Sequence, residues 1–297
     1  MISNVLFYSN VHLGDLHLSR SYIRWFIDNS QDVKFFYAHN QHPNVLCDIN
    51  IPLILGDLCY RLPRNGDIVT ISIDGNDFLA LNTWIGAGGL AVGCNFDACH
   101  INFTKYFDYL VKNGVKFKFD FLPKMIPRID FFSSCINKEL VDKWFANKKN
   151  KRSILIANNR VASNQSTNIN MNEYIAKLGL TFPSLDFYLT NQEHTLISLP
   201  NVFYIEHITN SQSDFSLNDI AYFSTFCDVI VGRGSGPFSF CEIKDNLDKT
   251  WISFTFEHLK SDSFNGLNMF DNNGKYIHTM NTEVLAEILK KEFINHE

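Results

Sequence analysis

The segment Cys227-Asp-Val-Ile-Val-Gly-Arg-Gly-Ser-Gly-Pro-Phe-Ser-Phe240 reads as a strand, a glycine turn and a helix start, an order suited to holding an anion. Val229, Ile230 and Val231 form a β-branched run of the kind that fills a covered parallel strand. Gly232, Gly234 and Gly236 let the backbone approach a ligand closely, and Pro237 suits the first helical position, where its missing N–H is no loss. Free N–H groups and the positive end of the helix dipole favour a phosphate, and Arg233 and Ser235 add charge-assisted bonds. The ligand class is a nucleotide or sugar phosphate. A tight βα turn that binds nothing has the same sequence form.

A second group of reactive side chains lies in His12-Leu-Gly-Asp-Leu-His17. Asp15 stands at the mouth of the first strand and the start of the first helix, where it either caps the helix or takes a proton from a hydroxyl. His12 and His17 share that loop, and an imidazole near neutral pKa is also a competent base. The loop Asn158 to Ser166 is dense in hydrogen-bonding groups, either solvated or binding phosphate and sugar hydroxyls, with Arg160 as its cation. Glu206, after a strand, and Glu242, on the helix after the glycine turn, are candidates to accept bonds from a nucleoside. Asp74, Asn76, Asn82 and Trp84 follow a strand and combine carboxylate, amide and aromatic groups, a mixture that suits sugar hydroxyls and a pyranose face. Trp84 fits a core equally well. The chain has no Asp-x-Asp pair, and Cys94, Cys99 and His100 lack a second close pair, so neither a metal nor another cofactor is expected.

The elements that must position these groups alternate between strand and helix. In the first half, strands are expected over Val5–Tyr8, Val33–Tyr37, Asp67–Ile73 and Val115–Phe121, with helices over Leu16–Asp28 and Asn102–Lys112. A glycine-rich loop spans Gly86 to Gly93. After a proline-interrupted stretch and a short helix near Glu139–Phe145, the series resumes with strands Ser153–Ala157, Leu185–Leu189, Val202–Ile205, Asp228–Val231 and Trp251–Phe254. Helices fall at Asn172–Leu178, Leu217–Phe226 and Thr282–Phe293, the last with Asn281 as cap and expected to pack back on the first domain. The rhythm predicts an α/β protein of two Rossmann-like domains, over 1–135 and 136–297, facing a central cleft at the carboxyl ends of their strands.

Composition narrows the function classes. A chain of 297 residues with 45% apolar and 19% charged residues is a globular one, and no apolar run approaches the ~20 residues that span a bilayer. A net charge of −5 argues against a nucleic-acid partner. The first ten residues lack the pattern of a signal peptide, and seven cysteines without scaffold spacing fit a reducing, cytoplasmic setting. One basic cluster, Lys148, Lys149, Lys151 and Arg152, is either a solvated hinge or a peripheral contact with the inner face of a membrane.

Two segments resemble glycosyltransferases of the two-Rossmann-domain type (GT-B), nearest the lipopolysaccharide heptosyltransferase-like group. His12-Leu-Gly-Asp-Leu-His-Leu-Ser-Arg20 is similar to that family's first loop, where the Asp is the catalytic base. Leu217 to Gly232 with Ser235-Gly-Pro237 is similar to its helix, strand and diphosphate-binding turn. The chain departs from the pattern at Gly234, where an acidic residue is usual, at Ser239, where a histidine is, and in having Arg160 as the nearest replacement for a lysine. The resemblance implies a transferase that moves a sugar from a nucleotide-sugar donor to a saccharide or lipid-linked acceptor, inverting and independent of metal. A nucleotide-sugar epimerase and a non-catalytic nucleotide-sugar-binding protein share the architecture.

Overall fold

The apolar run from Val5 to Tyr8 is buried on both faces and becomes the centre of a parallel sheet. The computed structural model describes residues 2–9, 13–39, 43–55, 58–63, 68–84, 95–134, 137–150, 152–159, 171–191, 197–209, 217–233, 236–254, 275–279, 281 and 283–294. The chain divides after Ser134 into two units, Met1–Ser134 and Cys135–Glu297, each an α/β domain.

The first domain contains β1 (Asn4–Ser9), α1 (Leu13–Asn29), β2 (Ser30–Gln31), β3 (Lys34–His39), β4 (Leu53–Leu55), α2 (Leu58–Arg61), β5 (Val69–Ile73), β6 (Asn76–Asn82), α3 (Asn95–Lys112), β7 (Lys116–Phe117) and α4 (Phe131–Ser134). Its main sheet has the order β4-β3-β1-β6-β5, parallel except for β5. On one face Leu6, Tyr8, Ala38, Phe78 and Ala80 pack with Leu62. On the other, α1 and α3 meet the sheet through aromatic rings: Phe7 lies 5.8 Å from Phe26 and 5.9 Å from Phe103, and Tyr22 stacks on Phe103 at 4.9 Å.

Strand β6 is not among the expected strands, since Asp74, Asn76 and Asn82 are read only as following one. Asp74 and Gly75 both have positive φ, 49° and 77°, the conformation of a two-residue hairpin turn. The chain therefore reverses there, and Asn76–Asn82 returns antiparallel to β5 and parallel to β1. The strand expected over Val115–Phe121 is confined to Lys116–Phe117, paired with Ser30–Gln31, while Phe119 and Phe121 are exposed.

The second domain contains α5 (Lys138–Asn147), β8 (Arg152–Ala157), α6 (Asn172–Thr181), β9 (Leu185–Leu189), β10 (Val202–Tyr204), α7 (Ile205–Thr209), α8 (Leu217–Ser224), β11 (Val229–Gly232), α9 (Gly236–Phe240), β12 (Thr250–Ser253), β13 (Lys275–His278) and α10 (Glu283–Leu289), which runs on as a π turn over Lys290–Ile294. Its six strands are all parallel in the order β10-β9-β8-β11-β12-β13. Numbered within the domain this is 3-2-1-4-5-6, the doubly wound Rossmann order. Ile154, Ile156, Phe187, Val229 and Val231 cover one face with α6 and α10. Tyr188, Phe203 and Trp251 cover the other with Phe145, Phe223 and Phe238. The final helix, expected on the first domain, buries Leu285 and Leu289 in the core of its own domain, and Asn281 accepts a bond from the Glu283 N–H at 2.9 Å as a cap does. Among the described residues no helix is long and apolar enough to cross a membrane.

A buried ion cluster fastens α1 to the segment before β4. Asp48, itself fully buried, accepts bonds from Arg20 Nη2 at 2.9 Å, Arg24 Nη2 at 2.6 Å and the Asp130 N–H at 3.0 Å. Burial lowers the Arg20 pKa, and Asp48 opposes that shift. Removing the carboxylate leaves a desolvated guanidinium, so Asp48→Ala is expected to cost about 3–5 kcal/mol of folding free energy, measured by urea unfolding.

Candidate functional site

In a doubly wound sheet, ligands sit outside the carboxyl ends of the strands where the strand order reverses. In the second domain that point lies between β8 and β11, which end at Ala157 and Gly232 in register. The glycine turn follows β11 directly, as its sequence requires. Gly234, Ser235 and Arg160 lie outside the described residues.

Each described group of the turn has a distinct role. A Cβ on Gly232 would meet Phe238 Cδ2 at 2.5 Å and Ala157 Cβ at 2.8 Å. Its glycine therefore serves the packing of α9 against β8 and β11, where ligand approach was expected. Gly236 differs: its φ is not positive, and a Cβ there would meet nothing within 4 Å among the described residues. Among the described residues neither backbone conformation nor packing accounts for that glycine, which opens α9. Pro237 is the second residue of this helix, one later than expected, and α9 is only five residues long. A helix this short has one turn of N–H groups at its start and little summed dipole.

Arg233 is fully buried, and its Nη2 donates to the Asn158 carbonyl. The guanidinium thus bridges the ends of β11 and β8, a tie that the expectation of a phosphate ligand did not include. Asn158 extends the bridge to β9: its Nδ2 donates to the Asn191 carbonyl and its Oδ1 accepts the Asn191 N–H, both at 2.9 Å. Thr190 also donates to Asn159 Oδ1. The start of the Asn158 loop, expected to be either solvated or ligand-binding, thereby holds three strand ends together.

Glu206 follows β10 in the first turn of α7, half-buried, and its buried Oε1 has no partner among the described residues. Glu242 lies just past the end of α9 and is fully buried near Tyr276 of β13, so its carboxyl is inside the fold. Burial pushes that carboxyl well above the ordinary carboxylate range.

In the first domain the order reverses between β1 and β6, so the matching point is beyond Ser9 and Asn82. Asp15, in the first turn of α1, and Trp84, two residues past β6, come to this end of the sheet. Asp15 is 9% exposed and close enough to Cys99 to help raise that thiol's pKa, though burial is the larger cause. His12 lies outside the described residues. His17 is fully buried, and Arg20 Nη1 donates to its Nδ1 at 3.3 Å, so its ring is directed inward and not at a ligand. Asn82 is also buried: it donates to the Pro63 carbonyl at 3.1 Å and accepts the Trp84 N–H at 2.9 Å. Asp74 and Asn76 sit at the exposed hairpin tip, at the amino end of β6 and so at the opposite end of the sheet from Asp15. The hairpin is the reason they do not join it. Thr83, unnoticed in the sequence, fixes the first domain's switch point, with its N–H on the Tyr8 carbonyl at 2.8 Å and its hydroxyl 2.8 Å from Tyr37 Oη.

The chain has the GT-B architecture of two Rossmann-like domains. No family model and no curated protein matches it in sequence. Among solved structures it is similar to the E. coli heptosyltransferase WaaC with ADP, at 8% identity over 97% of this chain and 99% of that one, with a TM-score of 0.50. It is also similar to the glycosyl transferase family 9 protein from Veillonella parvula DSM 2008 (11% identity, 97% and 89% covered, TM-score 0.47) and to SnogD from Streptomyces nogalater (12%, 98% and 92%, 0.46). At these identities the likeness to WaaC establishes the fold.

The two glycines give opposite expectations. Gly232→Ala should lower stability by about 1–3 kcal/mol through overpacking, whereas Gly236→Ala should be within about 0.5 kcal/mol of the parent, both read from denaturant midpoints. For Glu242, the unfolded chain releases its proton in the ordinary carboxylate range while the folded chain keeps it. The folded state then binds more protons, so stability is full below that range and falls as pH rises toward the folded value, by up to about 1.4 kcal/mol per pH unit. Glu242→Gln should flatten the fall of Tm between about pH 5 and 7.

Proposed function

We propose that this protein transfers a glycosyl group from a nucleoside-diphosphate sugar to a hydroxyl of a saccharide or lipid-linked acceptor, with inversion and without a metal. The observation that carries this reading is Gly236, a glycine at the switch point of a 3-2-1-4-5-6 sheet that, among the described residues, neither packing nor backbone geometry requires. The similarly folded WaaC was solved with ADP and with ADP-2-deoxy-2-fluoro heptose, which supports a diphosphate of this class as the donor group.

In this reading the second domain takes the donor. The N–H groups opening α9, Ser235 and Arg160 carry the charge that develops on the departing diphosphate. Arg233 keeps the turn in place through Asn158, and Oε1 of Glu206, without a partner among the described residues, accepts a bond from the nucleoside. The first domain supplies Asp15 as base and Trp84 as an apolar face for the acceptor. The acceptor oxygen attacks the anomeric carbon as its proton passes to Asp15. The bond from that carbon to the phosphate oxygen breaks, and its electron pair leaves with the nucleoside diphosphate.

A thermal-shift panel of nucleoside diphosphates and their sugars, with and without EDTA, tests the donor. One nucleotide should raise Tm by the equivalent of about 2.7 kcal/mol at 100 times its Kd, unaffected by EDTA and weakened by Ser235→Ala and Gly236→Val. No shift with any of them would reject the reading. Asp15→Asn should keep the donor shift and lower acceptor-dependent turnover by about 10²–10⁴-fold. Turnover of donor without acceptor would point to an epimerase, and binding without turnover to a carrier.

A further inference from the structure

The second domain has a pocket of about 790 Å³ where α5 passes the amino ends of β9 and β10, the end of the sheet opposite the glycine turn. Its apolar side is Leu140 and Trp144 of α5 with Phe203, and the Trp144 and Phe203 rings meet edge to face at 5.1 Å. Its rim carries Lys143, Lys148 and Lys149. Lys143 and Lys149 are exposed, and neither side chain has a partner among the described residues. Lys148 lies over the Phe145 ring at 5.2 Å and donates to Ser153 Oγ, which places its charge at the inner edge. Asp186 is the one carboxylate of the lining. Its oxygens accept from Asn150 Nδ2 at 2.7 Å and Tyr188 Oη at 3.3 Å, and its charge offsets part of that of Lys148, which leaves the exposed Lys143 and Lys149 to set the sign of the rim.

Three ammonium groups around an aromatic and aliphatic floor, on a chain of net charge −5, form a local field opposite to that of the whole molecule. A soluble anion would need the rim alone. An acidic peptide would meet the rim but has little to place on the floor. An anionic membrane lipid matches both, with its headgroup phosphate on the lysines and the first part of its chain against Trp144, Phe203 and Leu140.

We propose that this pocket binds the headgroup and upper chain of an anionic phospholipid and so attaches the second domain to a membrane surface. The site lies at the far end of the sheet from the donor turn, so lipid and nucleotide do not compete. The proposal stands apart from the transferase reading.

Sedimentation of the full chain with phosphatidylcholine vesicles, with and without about one-third phosphatidylglycerol, tests it. The protein should pellet with the anionic vesicles only. The double substitution Lys143→Glu, Lys149→Glu should weaken this at least about tenfold, with circular dichroism and Tm unchanged because both side chains are exposed. Lipids brominated high on the chain should quench tryptophan fluorescence in the parent, and that quenching should fall in Trp144→Phe. Binding that is absent, or unchanged by the charge reversal, would overturn the proposal. So would equal retention by free glycerophosphoglycerol or an acidic peptide, which would make the site one for soluble anions.

Discussion

The guanidinium of Arg233, shut inside the second domain against the Asn158 carbonyl, ties together the two strands between which the chain reverses direction. The ladder there is unbroken, but successive crossovers leave toward opposite faces, and nothing in the ladder itself joins the loops beyond β8 and β11. Asn158 carries the tie onward to Asn191, so three strand ends are fixed relative to one another. The glycine turn projects from this fixed frame. A short helix such as α9 contributes only a turn of oriented N–H groups, so their placement matters more than their summed dipole.

The first domain solves the corresponding problem with different chemistry. Thr83 joins β6 to β1 and Tyr37, and the Arg20, Asp48 and Arg24 cluster keeps α1 from shifting along its aromatic bed. A buried carboxylate between two arginines is costly to desolvate and costly to disrupt, which suits a helix whose first turn presents Asp15. The domains thus share a layer plan and each buries an arginine, but Arg20 meets the Asp48 carboxylate whereas Arg233 reaches the Asn158 carbonyl.

Much of the fold can be read from the chain because covered strands are continuous apolar runs. Val5–Tyr8, Ile154–Ala157 and Val229–Val231 carry that signal, and the structure buries them. Strand direction is another matter. The Asp74-Gly75 pair is a strong hairpin signal, yet the polar residues on either side of it imitate a binding loop, and only the positive φ values show the reversal. In the candidate site, Asp15 and the glycine turn are legible because their positions at βα junctions are set locally. The roles of Gly232 and Arg233 are not, since they depend on Phe238, Ala157 and Asn158, and the last two lie far away in sequence. Asp48 is silent for the same reason, since it lies 28 residues from Arg20 and 24 from Arg24.

The contrast between the two sheets also has a kinetic side. The hairpin of β5 and β6 closes through two residues, so the first domain can begin from a contact between neighbours. The second domain has no such start: every pair in its sheet is parallel, and its central pair joins Ile154 to Val229 across a span like the 75 residues between Asn158 and Arg233. Closing that span costs chain entropy before any ladder bond repays it. The first domain must close a comparable span, from Val5 to Leu79, but it can approach it from the hairpin, a local start that the all-parallel sheet of the second domain lacks.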